Sequence, residues 1–598
     1  MNRSVKLHDY CPPPGVLIRL LAGLVLMWVT AWSGGTERDL RDAESAIGLF
    51  DDATPTEVTG TLRPGSHVKL FIPNLPYLAI SHAVNGALLR PADNKRGWTY
   101  DLAVSHHSID DRIWEFRLRE DAYFQDGRHF NADSVIENMA YFVKAPFTFT
   151  KLSSILERVE KVDDYTVRFH LSEPYGVFLH DVLWLQFYTP EYLQKFGWNG
   201  KPTCPNLAEP GPYGLGPYQL VEGYVEGDRS APKVVLKANP RYWGDDKPKV
   251  ETFTIYTSLT LNEARDLVQN HEGELDITPV AFADEVDTVL SAYAKLAVSP
   301  SLNNYAMHFN MLNGNPAIAD ERIRAVINHA IDQDYLLNLS MLGEGVPSPT
   351  MVSPNFFRVR AAIESLQGFF DEERRTHDFS TDALRQVVRD YQREQGRDPD
   401  EPLRITVLAQ ESFLFLIRDI RHLLERVNIE LVLDILPKEK DVFLQLFATW
   451  RNQNDHPWDL LLWGNYDWYK HPWAAFFVYR PFYDWSTIPE NDELVALTDE
   501  MVRTNVDDPG YPRFLARFIR HVYERNYMVF LPTPNNVYAV NKEVMFNPGL
   551  SAFVYLRDIE VTDQHWSLRG DASYPAERQR PRQINRRNFS GAQILGTP

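Results

Sequence analysis

The densest group of residues with chemical potential runs from Trp458 to Trp485. It reads Trp458-Asp459-Leu460-Leu461-Leu462-Trp463-Gly464-Asn465-Tyr466-Asp467-Trp468-Tyr469-Lys470-His471-Pro472-Trp473, followed by Phe476-Phe477. Residues 459–463 form an apolar run of strand length, which Gly464-Asn465 should open into a loop. Ligands of open α/β sheets sit at the carboxyl ends of strands. A strand that ends in rings, an amide and a carboxylate therefore suits an amphipathic ligand, with rings flanking it and Asp467 holding a cation. The alternative is that the rings pack a core between lobes and Asp467 caps the next helix. The first reading is favoured because charged and amide groups are costly among rings without partners.

Signatures of catalysis are missing. The sequence has no G-x-S-x-G elbow, no H-E-x-x-H helix, no G-x-x-x-x-G-K-[ST] loop and no C-x-x-C pair. His106-His107 is the most ligand-like pair, but adjacent side chains point to opposite faces of a strand and diverge on a helix. The aromatic content resembles that of a sugar-binding cleft, yet no local pattern selects two carboxylates for glycoside hydrolysis. We therefore expect no enzyme, no catalytic residue, no metal site and no cofactor.

The elements that must position the aromatic segment follow from hydrophobic periodicity. Alternation predicts strands at 67–72, 112–119 and 165–171, and a helix is expected at 81–89. Asp126-Gly127 marks a tight turn, and Asn131 is placed to cap a helix that starts at Ala132. A Pro/Gly loop at 211–217 feeds a strand at 218–221, and residues 239–244 form an aromatic turn. A strand is expected at 304–310 and a helix at 320–331. Strand 403–408, helix 412–427 and strand 429–435 make a β-α-β pattern, the sign of a parallel sheet. A chain of 598 residues is too long for one core, so the class is α/β over at least two lobes.

The first 33 residues read as an address. Arg3, Lys6 and Arg19 precede an uncharged apolar run at 20–32, and Ala31-Trp32-Ser33 suits signal peptidase. The run is shorter than the roughly 20 apolar residues that span a membrane, which favours cleavage over anchoring. No lipobox cysteine follows it, which points to the periplasm of a Gram-negative cell. Cleavage removes Arg3, Lys6, Arg19 and Asp9 and takes the net charge from -20 to -22. It also removes Cys11 and leaves Cys204 alone, a buried and inert thiol in an oxidising compartment. The acidic balance argues against nucleic-acid binding.

Several stretches together resemble the family 5 extracellular solute-binding proteins, the oligopeptide- and dipeptide-binding components of ABC importers. They are residues 114–119 (WEFRLR) with 124–135 (FQDGRHFNADSV), Gly214-Leu215-Gly216-Pro217-Tyr218, Asn239-Pro240-Arg241-Tyr242-Trp243-Gly244, and His308-Phe309-Asn310 with 320–326 (DERIRAV) and Ala330-Ile331-Asp332. The resemblance holds in order from about 68 to 548. It implies a bilobed periplasmic binding protein, two hinge-linked α/β lobes with an extra subdomain on lobe I. The expected division is a signal peptide at 1–33, lobe I at 57–309 with the subdomain at about 85–205, lobe II at 310–527, a lobe I return at 528–566, and a disordered tail at 567–598.

The resemblance further implies that Trp463, Gly464, Asn465, Tyr466, Asp467 and Trp468 line the cleft from lobe II, and Pro76 and Tyr77 from lobe I. In peptide-binding relatives a carboxylate in this segment takes the peptide α-amine. The family pattern puts it at Tyr466, and here the acid is Asp467, one position later. The implied function is oligopeptide binding by a monomer that delivers its cargo to an ABC permease pair with ATPase subunits. Alternatives are an oligosaccharide stacked on Trp463, Trp468 and Trp473, a sensing module, or a secreted glycan hydrolase. No His/Met arrangement favours nickel or haem.

Overall fold

The computed structural model describes residues 60–579 apart from 145–151, 199–205, 227–228, 283–284, 482–484 and positions 454, 468, 490 and 552. The leader, Cys11, Cys204, Trp468 and residues 580–598 of the expected tail lie outside the described residues. Among the described residues no helix is long and apolar enough to cross a membrane.

Two mixed sheets organise the chain. The first has seven strands, in the order Tyr218–Glu222, Lys233–Ala238, Val250–Tyr256, Arg63–Phe71, Ile277–Pro279, Asn536–Asn541, Ala294–Ser299. Arg63–Phe71 lies parallel to both neighbours, and the flanking pairs are antiparallel. The second sheet has five strands, in the order Ile429–Leu436, Leu403–Gln410, Leu460–Asn465, Asn304–Phe309, Met528–Val529. Its first three strands are parallel, as the β-α-β pattern predicts, and Leu414–Glu425 is the crossover helix. Strand alternation serves two cores: Leu461 and Trp463 face one layer of helices, while Leu460 and Leu462 face the other.

The chain passes between the sheets at residues 300–303 and again at 530–535. Asn304–Phe309 and Met528–Val529 pair with each other inside the second sheet, so the first crossing precedes Asn304 and the second follows Val529. The crossings touch: Asn303 Nδ2 donates to Asn536 Oδ1 at 2.9 Å. A separate antiparallel sheet, in the order Ala103–Ser108, Ile113–Leu118, Thr166–Leu171, Leu156–Asp163, carries the helix Ala132–Phe142. Asn131 caps that helix as expected, its Oδ1 accepting the Ser134 N–H at 3.2 Å.

Three of the motifs interlock in one knot. The Gln125 N–H donates to the Gly214 carbonyl at 2.9 Å, and Gln125 Nε2 donates to the Tyr218 carbonyl at 2.7 Å. The Asn239 N–H meets the Pro217 carbonyl at 2.7 Å, and Trp243 Nε1 meets that of Leu215 at 3.0 Å. Gly214 and Gly216 lie so close to the helix Tyr77–Val84 that a Cβ on either would collide with the Val84 or Ala83 carbonyl oxygen. That helix begins earlier than the periodicity suggested. Pro76 supplies its N-cap position, and extended backbone at Asn85 ends it before the short strand Gly86–Ala87.

Residues 567–579 are packed, contrary to the expected disorder from 567 onward. Ser567 Oγ accepts the His67 N–H at 3.1 Å, Arg569 Nη1 pairs with Glu272 at 2.6 Å, and Tyr574 donates to Glu543 at 2.7 Å. Half-buried Glu272, ahead of Ile277–Pro279, and buried Glu543, just past Asn536–Asn541, hold this Arg- and Tyr-bearing segment, a long-range pairing that composition does not reveal.

Gly216→Ala should destabilise the protein by about 1–3 kcal/mol, since backbone rather than a flexible side chain meets the new methyl. Denaturant unfolding checks this, and an unchanged midpoint would show that the knot yields freely.

Candidate functional site

Both sheets bring strand ends to a common seam, carboxyl ends from the parallel strands and amino ends from Asn304–Phe309 and Asn536–Asn541. On the second sheet, Ile429–Leu436 leads to Glu439 and Leu460–Asn465 leads to Tyr466. Tyr305 sits at the same edge, paired with Gly464. On the first sheet, Arg63–Phe71 leads to Asn74, and Tyr538 lies on Asn536–Asn541. Asn74 Nδ2 donates to Tyr466 Oη at 3.2 Å, which joins the two sides. Phe282 and Phe415 also meet across the seam, with ring centroids 5.9 Å apart. Tyr305, Glu439, Tyr466 and Tyr538 are each half-buried. Burial, then the Glu439 carboxylate and the Tyr305 phenol, push the Tyr466 hydroxyl well above its ordinary pKa, so it is a neutral donor.

The loop from 466 to 472 is anchored on both sides. The Asp467 N–H donates to Asn303 Oδ1 at 2.8 Å, tying the loop to the first crossing between the sheets. Asp467 Oδ1 accepts the Lys470 N–H at 3.0 Å, and Lys470 adopts a left-handed φ of 57°. The Lys470 ammonium then reaches the first lobe, where it pairs with Asp93 and lies 5.6 and 5.5 Å from the ring centroids of Phe553 and Tyr555. Tyr469 donates to Asp181, and the His471 ring stands 4.7 Å from that of His180. Leu75, next to Asn74, is also left-handed with φ 49°. Strained residues of this kind cluster at binding sites and switches.

The predicted residues divide between seam, loop and core. Trp463 is only 7% exposed, donates from Nε1 to His308 Nε2 at 2.9 Å and stands 5.4 Å from Trp485. Burial pushes His308 down to about 3, so it stays neutral and can accept. Gly464 donates its N–H to Glu439 Oε1 at 2.6 Å, and Asn465 Nδ2 donates to the Ala474 carbonyl at 2.9 Å. Tyr466 faces the seam. Tyr77 is buried against Trp184, and Pro76 is half-buried at the start of their helix. Trp468 lies outside the described residues.

Asp467 caps the turn to Lys470 rather than a helix, since the following helix Trp473–Phe476 has no side-chain cap. Its Oδ2 is buried with no hydrogen-bond partner among the described residues, and burial pushes the carboxyl up to about 7 despite Lys470 nearby. Glu439, also pushed up to about 7 by burial, was missed in the sequence. The run Pro437-Lys438-Glu439-Lys440 carries only the signal of an exposed strand-to-helix turn.

An acid whose pKa rises on folding contributes stability that is complete below its unfolded pKa and lost as pH rises through its folded pKa. The melting temperature of Asp467→Asn relative to the unsubstituted protein should therefore climb by a few degrees between about pH 4 and pH 7. Thermal unfolding across that range tests this, and a constant difference would mean that ionised Asp467 is not costly.

Residues 97–376 match the model of the bacterial extracellular solute-binding proteins, family 5 Middle. The dipeptide-binding protein of Escherichia coli (strain K12) is 25% identical over 272 residues, covering 42% of this chain and 48% of that protein. The glutathione-binding protein of the same strain is 25% identical over 262 residues, with the same shares. The chain thus spans about half the length of the curated relatives it matches. The Helicobacter pylori periplasmic binding protein DppA in complex with the peptide STSA superposes with a TM-score of 0.64 at 14% identity, covering 83% of this chain and 98% of that one. Haemophilus influenzae OppA in complex with RPPGFSPFR gives 0.64 at 16%, covering 84% and 100%. Brucella suis NikA in complex with Fe(III)-EDTA gives 0.65 at 18%, covering 83% and 99%. At these identities the likeness establishes the fold, that of the bilobed periplasmic binding proteins. Residues 97–376, which hold the motifs at 114–135, 214–218, 239–244 and 308–332, are similar to the family 5 bacterial extracellular solute-binding proteins.

Proposed function

We propose that this chain is the periplasmic substrate-binding component of an ABC importer. It binds oligopeptides by closing its two lobes, and as a monomer delivers them to a permease pair driven by ATPase subunits, without catalysing a reaction. The observation that carries this reading is the loop at 466–472, which grips both lobes and is tied to the first crossing between the sheets. A ligand held in the seam favours the arrangement in which both sides touch it, which is closure by population shift. The two curated relatives named above are by name a dipeptide-binding and a glutathione-binding protein, which supports a peptide cargo. Asp467 remains the proposed contact for a peptide amine, supported by its unpartnered Oδ2. Stacking of sugars draws less support, because Trp463 is packed beneath His308 and Trp485.

Thermal unfolding of the full chain against a mixed oligopeptide pool and an oligosaccharide pool tests this reading. A ligand at 100 times its Kd stabilises by about 2.7 kcal/mol, so peptides should raise the midpoint visibly. A response to sugars alone would replace the cargo, and silence with both pools would remove the transport reading.

Closure itself has a separate handle. Gly97 has φ +77°, and a Cβ there would lie 2.6 Å from the Lys470 carbonyl oxygen. Gly97→Ala should hold the lobes apart, giving a larger radius of gyration by small-angle scattering and weaker peptide binding. An unchanged radius and affinity would show that this contact does not govern closure.

A further inference from the structure

We propose that Glu439 is the contact for a ligand's ammonium group at the seam, within the peptide-binding reading given above. Three observations carry it. Glu439 stands at the carboxyl edge of the second sheet, where Tyr305 and Tyr466 flank it and Tyr538 faces Tyr466 from the first sheet. Among the described residues only Oε1 is engaged, by the Gly464 N–H at 2.6 Å. No Lys, Arg or His pairs with the carboxylate among the described residues, although Lys438 and Lys440 are its neighbours in sequence.

A partly desolvated carboxylate without a cation is an unfavourable arrangement, and burial pushes its carboxyl up to about 7. An ammonium beside Oε2 would remove that penalty through a charge-assisted hydrogen bond, while the rings of Tyr305 and Tyr466 offer π faces to the same cation. Of the other acids near the seam, Asp93 holds the Lys470 ammonium, and Asp467, whose Oδ1 holds the Lys470 N–H, is only 3% exposed, so its second oxygen is closed off from the seam. Glu439 is thus the carboxylate with both an open oxygen and a half-buried position beside the seam.

The test is calorimetric titration of the full chain with a tripeptide pool bearing free amino termini, the same pool N-acetylated, and an N-acetylated pool enriched in lysine. Glu439→Gln keeps an oxygen for the Gly464 N–H and removes only the charge. It should lose about tenfold to a hundredfold in affinity for the free-amine pool and little for the acetylated one, and Glu439→Asp should recover part of the loss. Retained discrimination for the lysine pool would assign the contact to a side-chain ammonium rather than the terminus, which supports the same chemistry. Equal losses for charged and uncharged pools, or a loss confined to Asp467→Asn, would overturn the assignment while leaving peptide binding in place. Failure of the unsubstituted protein to bind any pool would overturn peptide binding and the Glu439 contact together.

Discussion

The Lys470 ammonium is the point on which the two lobes agree. Its side chain is 1% exposed, and it is neutralised from the other lobe by Asp93, whose second oxygen accepts the Leu550 N–H at 2.9 Å. Withdrawing an ammonium from water costs several kcal/mol, and a well-placed carboxylate with two aromatic faces roughly repays it. Parting the lobes exchanges that arrangement for hydration of both ions. Under the proposed closure that exchange costs the pair little, which leaves the choice between the two states to the ligand. The left-handed backbone at Lys470 turns the side chain toward its partner, and Asp467 holds the turn that makes this possible.

Coupling between ligand and hinge needs no long pathway. Tyr466, at the seam, is adjacent in sequence to Asp467. The Asp467 N–H rests on Asn303 at the first crossing, and Asn303 rests on Asn536 at the second. A displacement of the loop is therefore felt at both strands that join the lobes. The buried pair His180 and His471 stays neutral through desolvation, which keeps a second stretch of the contact free of repulsion.

Much of the scaffold was legible because its signals are local. Alternation at 112–119 and 165–171, the Asn131 cap and the β-α-β run from 403 to 435 each depend on neighbours within a few positions, and each is present. The start of the helix Tyr77–Val84 was misplaced because apolar spacing further along outweighed the stop-and-start signal of Pro76. The site was legible only in part. Sequence spacing singled out the 463–472 segment as a candidate, but not that Trp463 turns inward or that Asp467 faces Lys470, since both follow from strand pairing and a left-handed residue. Glu439 left no trace, because its partner Gly464 stands 25 positions away in the chain.

The knot formed by Gln125, Gly214 to Tyr218 and Asn239 to Trp243 has a consequence for kinship. Every one of these residues lies within 97–376, the region that matches the family model, while the 466–472 loop and Glu439 lie beyond it. The knot is tied entirely onto backbone carbonyls, by two backbone N–H groups and by the Gln125 and Trp243 side chains. The match to the family model therefore reports how the frame is tied, and the cargo has to be read from a seam whose loop and carboxylate lie outside the matched region.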